Sequence, residues 1–383
     1  MARDFIIPGH IISGSNALQA AGCELAKMGK RALIVTDKVM VKLGNCAKLE
    51  QVLKDKNVDY TIYDGINSEP NDAMVSLGLE IFRRDKCDFL IGLGGGSPLD
   101  SMKAIGAMVN STCEIADYMG QEIDVKMPPL VAIPTTAGTG SEATQFTIIT
   151  DLKRQVKMLL KGKVLLPALA IIDPQFTLTA PPKVTAATGI DALCHAVEAF
   201  TSRKSQALSD TFAVSAVERI FKALPKAFSQ GDNEDVRIEM SLAALEAGIA
   251  FNNSSVTLIH GLSRPIGALF HVPHGLSNAM LLKPCLSFAL SGAYSKFAEL
   301  ARRIKVADSS DNDECAANKF LEAAIALVND LQIPTLEQFG VSKADFDVVV
   351  DKMADDALAS GSPQNTIRSI SKGEILEIYQ QLW

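Results

Sequence analysis

Three of the five histidines of this 383-residue chain lie within one stretch, HGLSRPIGALFHVPHG, residues 260–275. Another, His195, follows Asp191 by four residues in TGIDALCHAVEAF, a segment with helical composition. Residues four apart on a helix share one face at about 6 Å, so Asp191 and His195 could hold one ion together. His260 and His274, from the histidine-rich stretch, are available as third and fourth ligands.

Three imidazoles and one carboxylate form a donor set of intermediate softness. Such a set suits Fe(II), zinc or another divalent first-row ion better than calcium or magnesium. An Asp/His pair at this spacing is also common on solvated helix faces, but the apolar neighbours of His195 in ALCHAVEAF favour a buried site. Cys194 could touch that site or be a buried structural thiol, and His10 is expected to be an ordinary surface or interface histidine.

Two loops of small residues follow apolar runs in the first half of the chain. LIGLGGGSPLDSMKA places three glycines between a predicted strand and a predicted helix, where backbone N–H groups could receive a phosphate. The spacing is not the GxGxxG fingerprint, and a structural tight turn explains it equally well. IPTTAGTGSEAT, residues 133–144, is a second such loop. Together they predict the nucleotide-binding crevice at the carboxyl ends of parallel strands.

Asp37 ends another predicted strand, ALIVTD. Its carboxylate could accept hydrogen bonds from ribose hydroxyls, and it would repel a 2′-phosphate, which favours NAD over NADP. Capping of a following helix is an equally good explanation of this residue.

The elements around these residues predict two domains. Amphipathic helical segments alternate with five predicted strands, at 31–37, 59–65, 88–97, 129–140 and 168–174. This alternation predicts an α/β domain with a doubly wound, mainly parallel sheet and helices on both faces. After the proline pair 181–182, alanine, leucine, glutamate and lysine recur at helical spacing. We therefore predict an α/β domain over 1–180 and an all-α domain over 181–383.

Composition argues against several classes of protein. The net charge of −7 comes from scattered residues without a basic stripe, so a nucleic-acid partner is not expected. The N-terminus lacks a signal-peptide core, and no run of about 18 apolar residues indicates a membrane span. The seven cysteines form no CxxC pair, which is typical of reduced thiols in a cytoplasmic protein.

Five motifs, spread over nearly 200 residues, carry a resemblance to a known family. In order along the chain they are GGGSPLDSMKAIG, IPTTAGTGSEAT, AATGIDALCHAVEA, HGLSRPIG and FHVPHG. The chain resembles the iron-containing, group III alcohol dehydrogenases over essentially its whole length. The resemblance implies an N-terminal NAD-binding domain, a C-terminal helical domain, an active site in the cleft between them and, in many members, a homodimer. It also implies NAD(H)-linked hydride transfer on small primary alcohols or diols and their aldehydes.

Carried over residue by residue, the resemblance implies that Asp191, His195, His260 and His274 coordinate the metal, usually Fe(II) and in some relatives zinc. It implies that Gly96 and Ser97 hold the pyrophosphate, that three threonines line the cofactor cleft, and that Lys157 lies near a cofactor ribose. The predicted cofactor-binding residues are Asp37, Gly95, Gly96, Ser97, Thr135, Thr136, Thr139 and Lys157.

One position departs from the family pattern. Four residues after the third metal ligand, many relatives carry a histidine thought to assist proton transfer, and here that residue is Arg264. Arginine does not release its proton, so we expect His271, or a water chain through the ribose hydroxyls, to take that role. Arg264 itself could favour NADH over NAD⁺, accept a carbonyl substrate with an anionic group, or form a structural ion pair.

Two other functions remain compatible with this architecture. Dehydroquinate synthase-like lyases share it and use NAD and a metal, but they hold polyanionic substrates with a basic cluster that the metal segments here lack. A non-catalytic binding protein of the same fold is the other alternative, against which the four intact ligand positions argue.

Overall fold

The computed structural model describes residues 2–154 and 156–383 and divides into two compact units. One is an α/β unit, Ile6–Ala180, and the other is a helical unit, Pro181–Trp383 together with the N-terminal residues up to Phe5. Within the described residues, no helix combines the length and apolar character needed to cross a membrane.

The α/β unit is built on a six-stranded, wholly parallel sheet in the order β1-β8-β5-β4-β2-β3. A separate antiparallel hairpin pairs β6 with β7. The strands are β1 His10–Ser13, β2 Arg31–Val35, β3 Asp59–Tyr63, β4 Phe89–Gly94, β5 Leu130–Pro134, β6 Phe146–Asp151, β7 Val156–Lys161 and β8 Leu169–Ile172. The predicted parallel sheet is confirmed, but the sequence analysis omitted β1 and the hairpin.

Helices cover both faces of this sheet. They are α1 Ala17–Ala20, α2 Gly22–Met28, α3 Lys38–Lys42, α4 Asn45–Asp55, α5 Asp72–Arg84 and α6 Gly96–Met108. Alternate residues of β2 enter different cores: Leu33 packs with Leu99 of α6, whereas Ile34 packs with Leu49 of α4. A strand buried on both faces reads as a continuous apolar run, which is why RALIV was recognisable from the sequence.

The second unit is all-helical, as predicted. Its helices are α7 Pro182–Phe200, α8 Ala207–Ser229, α9 Glu234–Ser254, α10 Leu258–Phe270, α11 His274–Ala289, α12 Tyr294–Arg303, α13 Asp313–Asp330, α14 Leu336–Phe339, α15 Lys343–Ala359 and α16 Lys372–Gln380. Pro182 occupies the first turn of α7, where its missing N–H has no cost. Helix α7 packs against α8, α9 and α11, and α10 packs against α11 and α15, so α7 is the buried centre of the unit.

Candidate metal centre and cofactor loops

The four residues predicted to bind a metal meet in the helical unit. Asp191 and His195 lie one turn apart on α7, His260 lies in the first turn of α10, and His274 begins α11. Their ligand atoms all lie within 4.8 Å of one another. The first three residues are buried and His274 is partly buried. Three packed helices therefore bring distant parts of the chain to one point.

Spacing within this cluster suits a first-row metal. Oδ1 of Asp191 lies 3.5 Å from Nε2 of His260, 3.8 Å from Nε2 of His274 and 4.0 Å from Nδ1 of His195. Bonds of about 2.1 Å in a tetrahedral site would separate neighbouring ligand atoms by about 3.4 Å. The observed separations lie close to that value, so small side-chain movements would close the site around an ion.

An asparagine that the sequence analysis missed lies at the centre of the cluster. Nδ2 of Asn278 donates to Oδ1 of Asp191 at 2.6 Å and lies 3.1 and 3.2 Å from Nε2 of His260 and His274. Its Oδ1 is buried and has no hydrogen-bond partner among the described residues. Three acceptor atoms thus converge on one electropositive group, at the place where a cation would bind. The donor set and this convergence fit a divalent metal.

Charges in the cluster stabilise one another. Burial raises the pKa of Asp191, but the three neighbouring imidazoles outweigh it and hold that pKa well below its usual range. Burial lowers the pKa of His260, yet the carboxylates of Glu198 and Asp191 raise it to about 9. Buried carboxylates at this position therefore require a positive charge beside them, from protons or from a metal.

Glu198 holds one of the imidazoles in place and was also missed. Its Oε2 is hydrogen-bonded to Nδ1 of His260, while Oε1 accepts from Thr257 Oγ1 at 2.8 Å and from the N–H of Ile259 at 2.7 Å. Since Nδ1 donates to a carboxylate, Nε2 is directed toward the metal position. Glu198 follows His195 by three residues on the same face of α7, a spacing that could have identified it.

The two residues given catalytic roles by the sequence analysis lie on α10 or at its end. His271 is the C-cap of α10, is exposed, and adopts a left-handed conformation with φ 54°. It is not a member of the four-residue cluster. Nη1 of Arg264 donates to Oγ of Ser362 at 3.0 Å. No ion pair of Arg264 occurs in residues 2–154 or 156–383, so the structural ion pair is not found. The catalytic roles of both residues stay predictions.

In the α/β unit, the two glycine-containing loops pack against each other at neighbouring strand ends. Gly95 is the N-cap of α6, and no side chain at this position accepts a hydrogen bond from the first N–H groups of the helix. These N–H groups are therefore available to a ligand. A Cβ at Gly96 would lie 3.1 Å from Cγ2 of Thr139, and one at Gly95 would lie 3.5 Å from Oγ1 of Thr136. Glycine therefore permits the close approach of the loops and leaves backbone open to a ligand.

Not all of the predicted cofactor residues are accessible in the same way. Gly95, Gly96, Ser97, Thr136 and Thr139 are partly exposed. Thr135 is buried, and its N–H donates to the carbonyl of Gly94 at 2.9 Å. This residue thus joins the two strand ends, which are adjacent because β4 pairs with β5.

Two charged residues of α6, Asp100, which is partly buried, and Lys103, which is buried, position the second loop and were not identified from the sequence. Asp100 accepts from Ser141 Oγ at 2.6 Å and from the N–H of Ile148 at 2.9 Å. Lys103 donates to the carbonyls of Thr144 and Phe146, both at 2.9 Å. Burial lowers the pKa of Lys103 to about 8. These contacts tie the loop to the helix that begins at the glycines.

The remaining two predicted cofactor residues have partners within the α/β unit. Asp37 caps α3, because its Oδ1 accepts from the N–H groups of Val39 and Met40 at 2.8 and 2.9 Å. Lys157 on β7 pairs with Glu69 at 2.6 Å. Asp37 therefore caps a helix, which is one of the two roles that the sequence suggested for it. The cofactor roles of Asp37 and Lys157 stay predictions.

A parallel α/β unit with paired glycine loops and a helical unit with an Asp/His₃ cluster are the two features that the sequence resemblance leads us to expect. A family model for iron-containing alcohol dehydrogenases matches residues 8–174, and the model for the C-terminal part of that family matches residues 185–383. The chain belongs to the iron-containing alcohol dehydrogenase family.

Individual relatives agree with this assignment over their full length. The 1,3-propanediol dehydrogenase of Citrobacter freundii is 36% identical over 384 residues, covering 99% of this chain and 98% of that protein. The NAD-dependent methanol dehydrogenase of Bacillus methanolicus is 32% identical over 373 residues, 96% of this chain and 98% of that protein. A crystal structure of 1,3-propanediol oxidoreductase superposes with a TM-score of 0.96 at 35% identity, covering 100% of both chains. The predicted family, fold and dehydrogenase class are confirmed, in preference to the lyase alternative.

Proposed function

We propose that this protein is a metal-dependent, NAD(H)-linked alcohol dehydrogenase or aldehyde reductase for small primary alcohols or diols and their aldehydes. The observation that carries the proposal is the convergence of Asp191 and three imidazoles on one point. Atoms of Asp191, His260 and His274 lie within 3.2 Å of the amide nitrogen of Asn278. Family membership supports the reaction class, since the relatives reported above are named as dehydrogenases and an oxidoreductase.

Asp191, His195, His260 and His274 would hold the metal, for which we propose Fe(II), with zinc or another divalent first-row ion as the alternative. When bound, such an ion supplies a Lewis acid for the oxygen of the substrate. Glu198 orients His260 toward it, and the ring of Phe251, stacked on His195 at 4.2 Å between centroids, covers one side of the cluster. These neighbours keep the ligand side chains in place and limit the access of water.

Reduction of an aldehyde requires a proton at the oxygen of the product alcohol. Arg264 cannot release one. We assign this proton to His271, or to a chain of water molecules through the ribose hydroxyls of the cofactor. His271 is exposed, so its imidazole contacts solvent.

For the cofactor we propose NAD(H), bound along the two glycine-containing loops of the α/β unit. The N–H groups at Gly96 and Ser97 begin α6, and a helix N-terminus attracts a pyrophosphate. Thr135, Thr136 and Thr139 would complete the loop surface. Asp37 offers a second carboxylate oxygen to a ribose, and Lys157 is the other proposed ribose contact.

We further propose a homodimer in the cytoplasm. The dimer rests on the family resemblance. The location rests on the seven cysteines, all of which are free thiols, three of them exposed.

The direct test is aldehyde-dependent oxidation of NADH by metal-free protein reconstituted separately with Fe(II) and Zn(II). We expect activity only after metal addition, with NADH preferred to NADPH, and higher activity with Fe(II). The matched control is the metal-free protein incubated with Mg²⁺, which the donor set does not favour. Absence of NADH oxidation with every aldehyde and every metal would disprove the proposed function.

A further inference from the structure

Arg264 lies on the face of α10 that carries a proposed metal ligand. It follows His260 by four residues within Leu258–Phe270. Residues at this spacing on a helix have Cβ atoms about 6 Å apart, one above the other. Arg264 is partly buried. The helix therefore carries a permanently charged residue one turn from a proposed metal ligand.

The guanidinium lacks a carboxylate partner within the described part of the chain. It can donate five hydrogen bonds, and Oγ of Ser362 accepts one from Nη1. Two arginines elsewhere in the helical unit are paired with carboxylates: Arg219 contacts Glu239 at 2.7 Å, and Arg368 contacts Glu374 at 3.2 Å. A partly buried, uncompensated charge costs free energy, so its presence calls for an anion that the protein chain does not itself supply.

Glu198, the carboxylate whose charge acts on Arg264, is already hydrogen-bonded to other groups. Burial lowers the pKa of Arg264, and the negative charge of Glu198 opposes this shift only in part. Both oxygens of Glu198 are occupied by hydrogen bonds from α10 and from the residue that precedes it. Glu198 cannot turn toward the guanidinium without releasing His260.

The balance of charges in the site also indicates an anionic ligand. A divalent ion would balance the two buried carboxylates, Asp191 and Glu198. The positive charge of Arg264 then has no negative charge to balance it. A neutral aldehyde would not offset this charge, whereas a substrate with one anionic group would. A guanidinium is also suited to this task, because its planar fork binds a carboxylate, sulfonate or phosphate through two parallel hydrogen bonds.

We infer that Arg264 binds an anionic group of the substrate, and that the preferred substrates are short-chain aldehydes or alcohols bearing a carboxylate, sulfonate or phosphate. Ser362 holds the guanidinium by its Nη1 and leaves the other donors for the ligand. Arg264 is thereby a specificity-determining residue. This inference rests on the proposed function, because it concerns the substrate of the same reaction.

The test compares aldehydes that differ in charge but not in chain length. Holoenzyme is assayed with NADH and either succinic semialdehyde or butanal, and sulfoacetaldehyde against acetaldehyde distinguishes sulfonate from carboxylate. We expect the wild-type protein to have a kcat/KM at least about tenfold higher for the anionic member of a pair. In Arg264→Gln that value should fall roughly 30- to 1,000-fold, as for loss of one partner of a buried charge pair. The value for the neutral aldehyde should fall far less than the value for the anionic one, because the lost contact is made to the anionic group.

Two further variants make the comparison specific. Arg264→Lys keeps the charge but loses the fork, so we expect it to recover part of the anionic preference. Arg302→Gln removes an arginine of the same unit that pairs with Asp313 at 3.0 Å, and it should leave both aldehydes unaffected.

A second measurement needs neither metal nor turnover. Butyrate and butanol are titrated calorimetrically into the metal-free protein. We expect butyrate to bind more tightly to wild type than to Arg264→Gln by about tenfold, with an affinity that decreases as salt is added. Butanol should bind equally to both proteins.

The outcomes separate the inference from the proposed function. Equal kcat/KM for the anionic and neutral aldehydes in the wild-type enzyme overturns the inference and leaves the dehydrogenase function intact, even if the variants do not fold. A change in the ratio of NADH to NAD⁺ affinity in Arg264→Gln, with no change in substrate preference, shows that the guanidinium acts on the cofactor and also overturns it. Failure to oxidise NADH with any aldehyde contradicts the proposed function instead.

Discussion

The metal centre and the glycine-containing loops are built in opposite ways. The metal centre uses side-chain atoms from α7, α10 and α11, and buried partners such as Glu198 hold these atoms in place. The loops offer backbone and small side chains at the ends of two adjacent strands, where a Cβ at Gly96 would lie 3.1 Å from a side chain of the neighbouring loop. One site depends on which side chains are present, and the other on how closely two backbones can lie.

This difference predicts how each site responds to substitution. Removing one ligand should abolish metal binding, because no other side chain can replace its donor atom. The loops should be weakened mainly through the residues that position them, Asp100 and Lys103. Four substitutions test this contrast.

The largest effect is expected for His260→Ala, which deletes a proposed ligand. Bound metal should fall to near zero, and aldehyde reduction should fall by at least about 1,000-fold, because a Lewis acid is worth several kcal/mol of transition-state stabilisation. The affinity for NADH should stay within about twofold if the two sites are independent. Metal analysis, steady-state kinetics and NADH fluorescence titration measure these quantities. His10→Ala is the matched control, and retention of stoichiometric metal in His260→Ala would contradict the assignment.

Glu198→Gln should have the next largest effect. The glutamine can still accept hydrogen bonds from Thr257 and Ile259, but its amide would donate to Nδ1 of His260 and favour the wrong tautomer. We expect metal affinity, measured by competition with a chelator, to fall about 10- to 100-fold.

The control for this change is Glu246→Gln. Glu246 is a partly buried glutamate of the same unit that pairs with Arg219 at 3.2 Å. This control should bind metal normally. If Glu198→Gln binds metal as tightly as the control does, orientation by Glu198 is not needed for the site.

Lys103→Met tests the support of the loops. It removes the hydrogen bonds to Thr144 and Phe146 while retaining an apolar stem of similar length. Each such bond is worth about 1 kcal/mol, so we expect NADH affinity to fall about tenfold as the loop loosens. Metal content should be unchanged. Lys54→Met, at an exposed position of α4 in the same unit, is the control, and equal NADH affinity in the two variants would argue against this support.

The smallest effect on the two sites is expected for Glu142, a buried residue of the second loop whose substitution changes stability instead. Burial raises its pKa from the ordinary value of 4.5 to about 7, despite the neighbouring charge of Lys103. The folded protein therefore keeps this proton between about pH 4.5 and 7, and the wild type loses stability as pH rises through that window. A glutamine at this position does not titrate.

Glu142→Gln should accordingly be close to the wild type in stability at pH 4.5 and be more stable by about 3 kcal/mol at pH 8. Denaturant unfolding at the two pH values measures the difference. The same substitution at the exposed Glu80 should have no pH-dependent effect. A stability difference that is the same at both pH values would show that Glu142 does not carry a buried proton.

Predictions from the sequence succeeded where the signal was local. The buried strands of the sheet are continuous apolar runs, and Asp191 and His195 share a helix face because of their spacing. The predictions failed where the apolar pattern of a strand was weak or where a contact joins segments distant in the sequence. β1 has only four residues at the edge of the sheet, and the hairpin strands FTIITD and VKMLLK are only partly apolar, so neither was recognised.

The buried polar partners were missed for a different reason. Glu198 and Asn278 look like ordinary helical residues until α7, α10 and α11 are packed together, and the same is true of Asp100 and Lys103 beside the second loop. Each of these four residues has a hydrogen-bond partner between 41 and 87 positions away in the sequence. No periodicity in the chain reports such pairings.

By itself, the sequence determined the class of each half and the chemical types of the reactive groups, because apolar periodicity and donor chemistry are properties of the residues. Tertiary structure decided which groups act together. It brought four ligands within 4.8 Å, and it turned Glu198 toward His260 rather than Arg264. It also left that guanidinium with a serine as its partner. A hydrogen bond or ion pair depends on distances of a few ångströms, and only the packing of helices sets those distances.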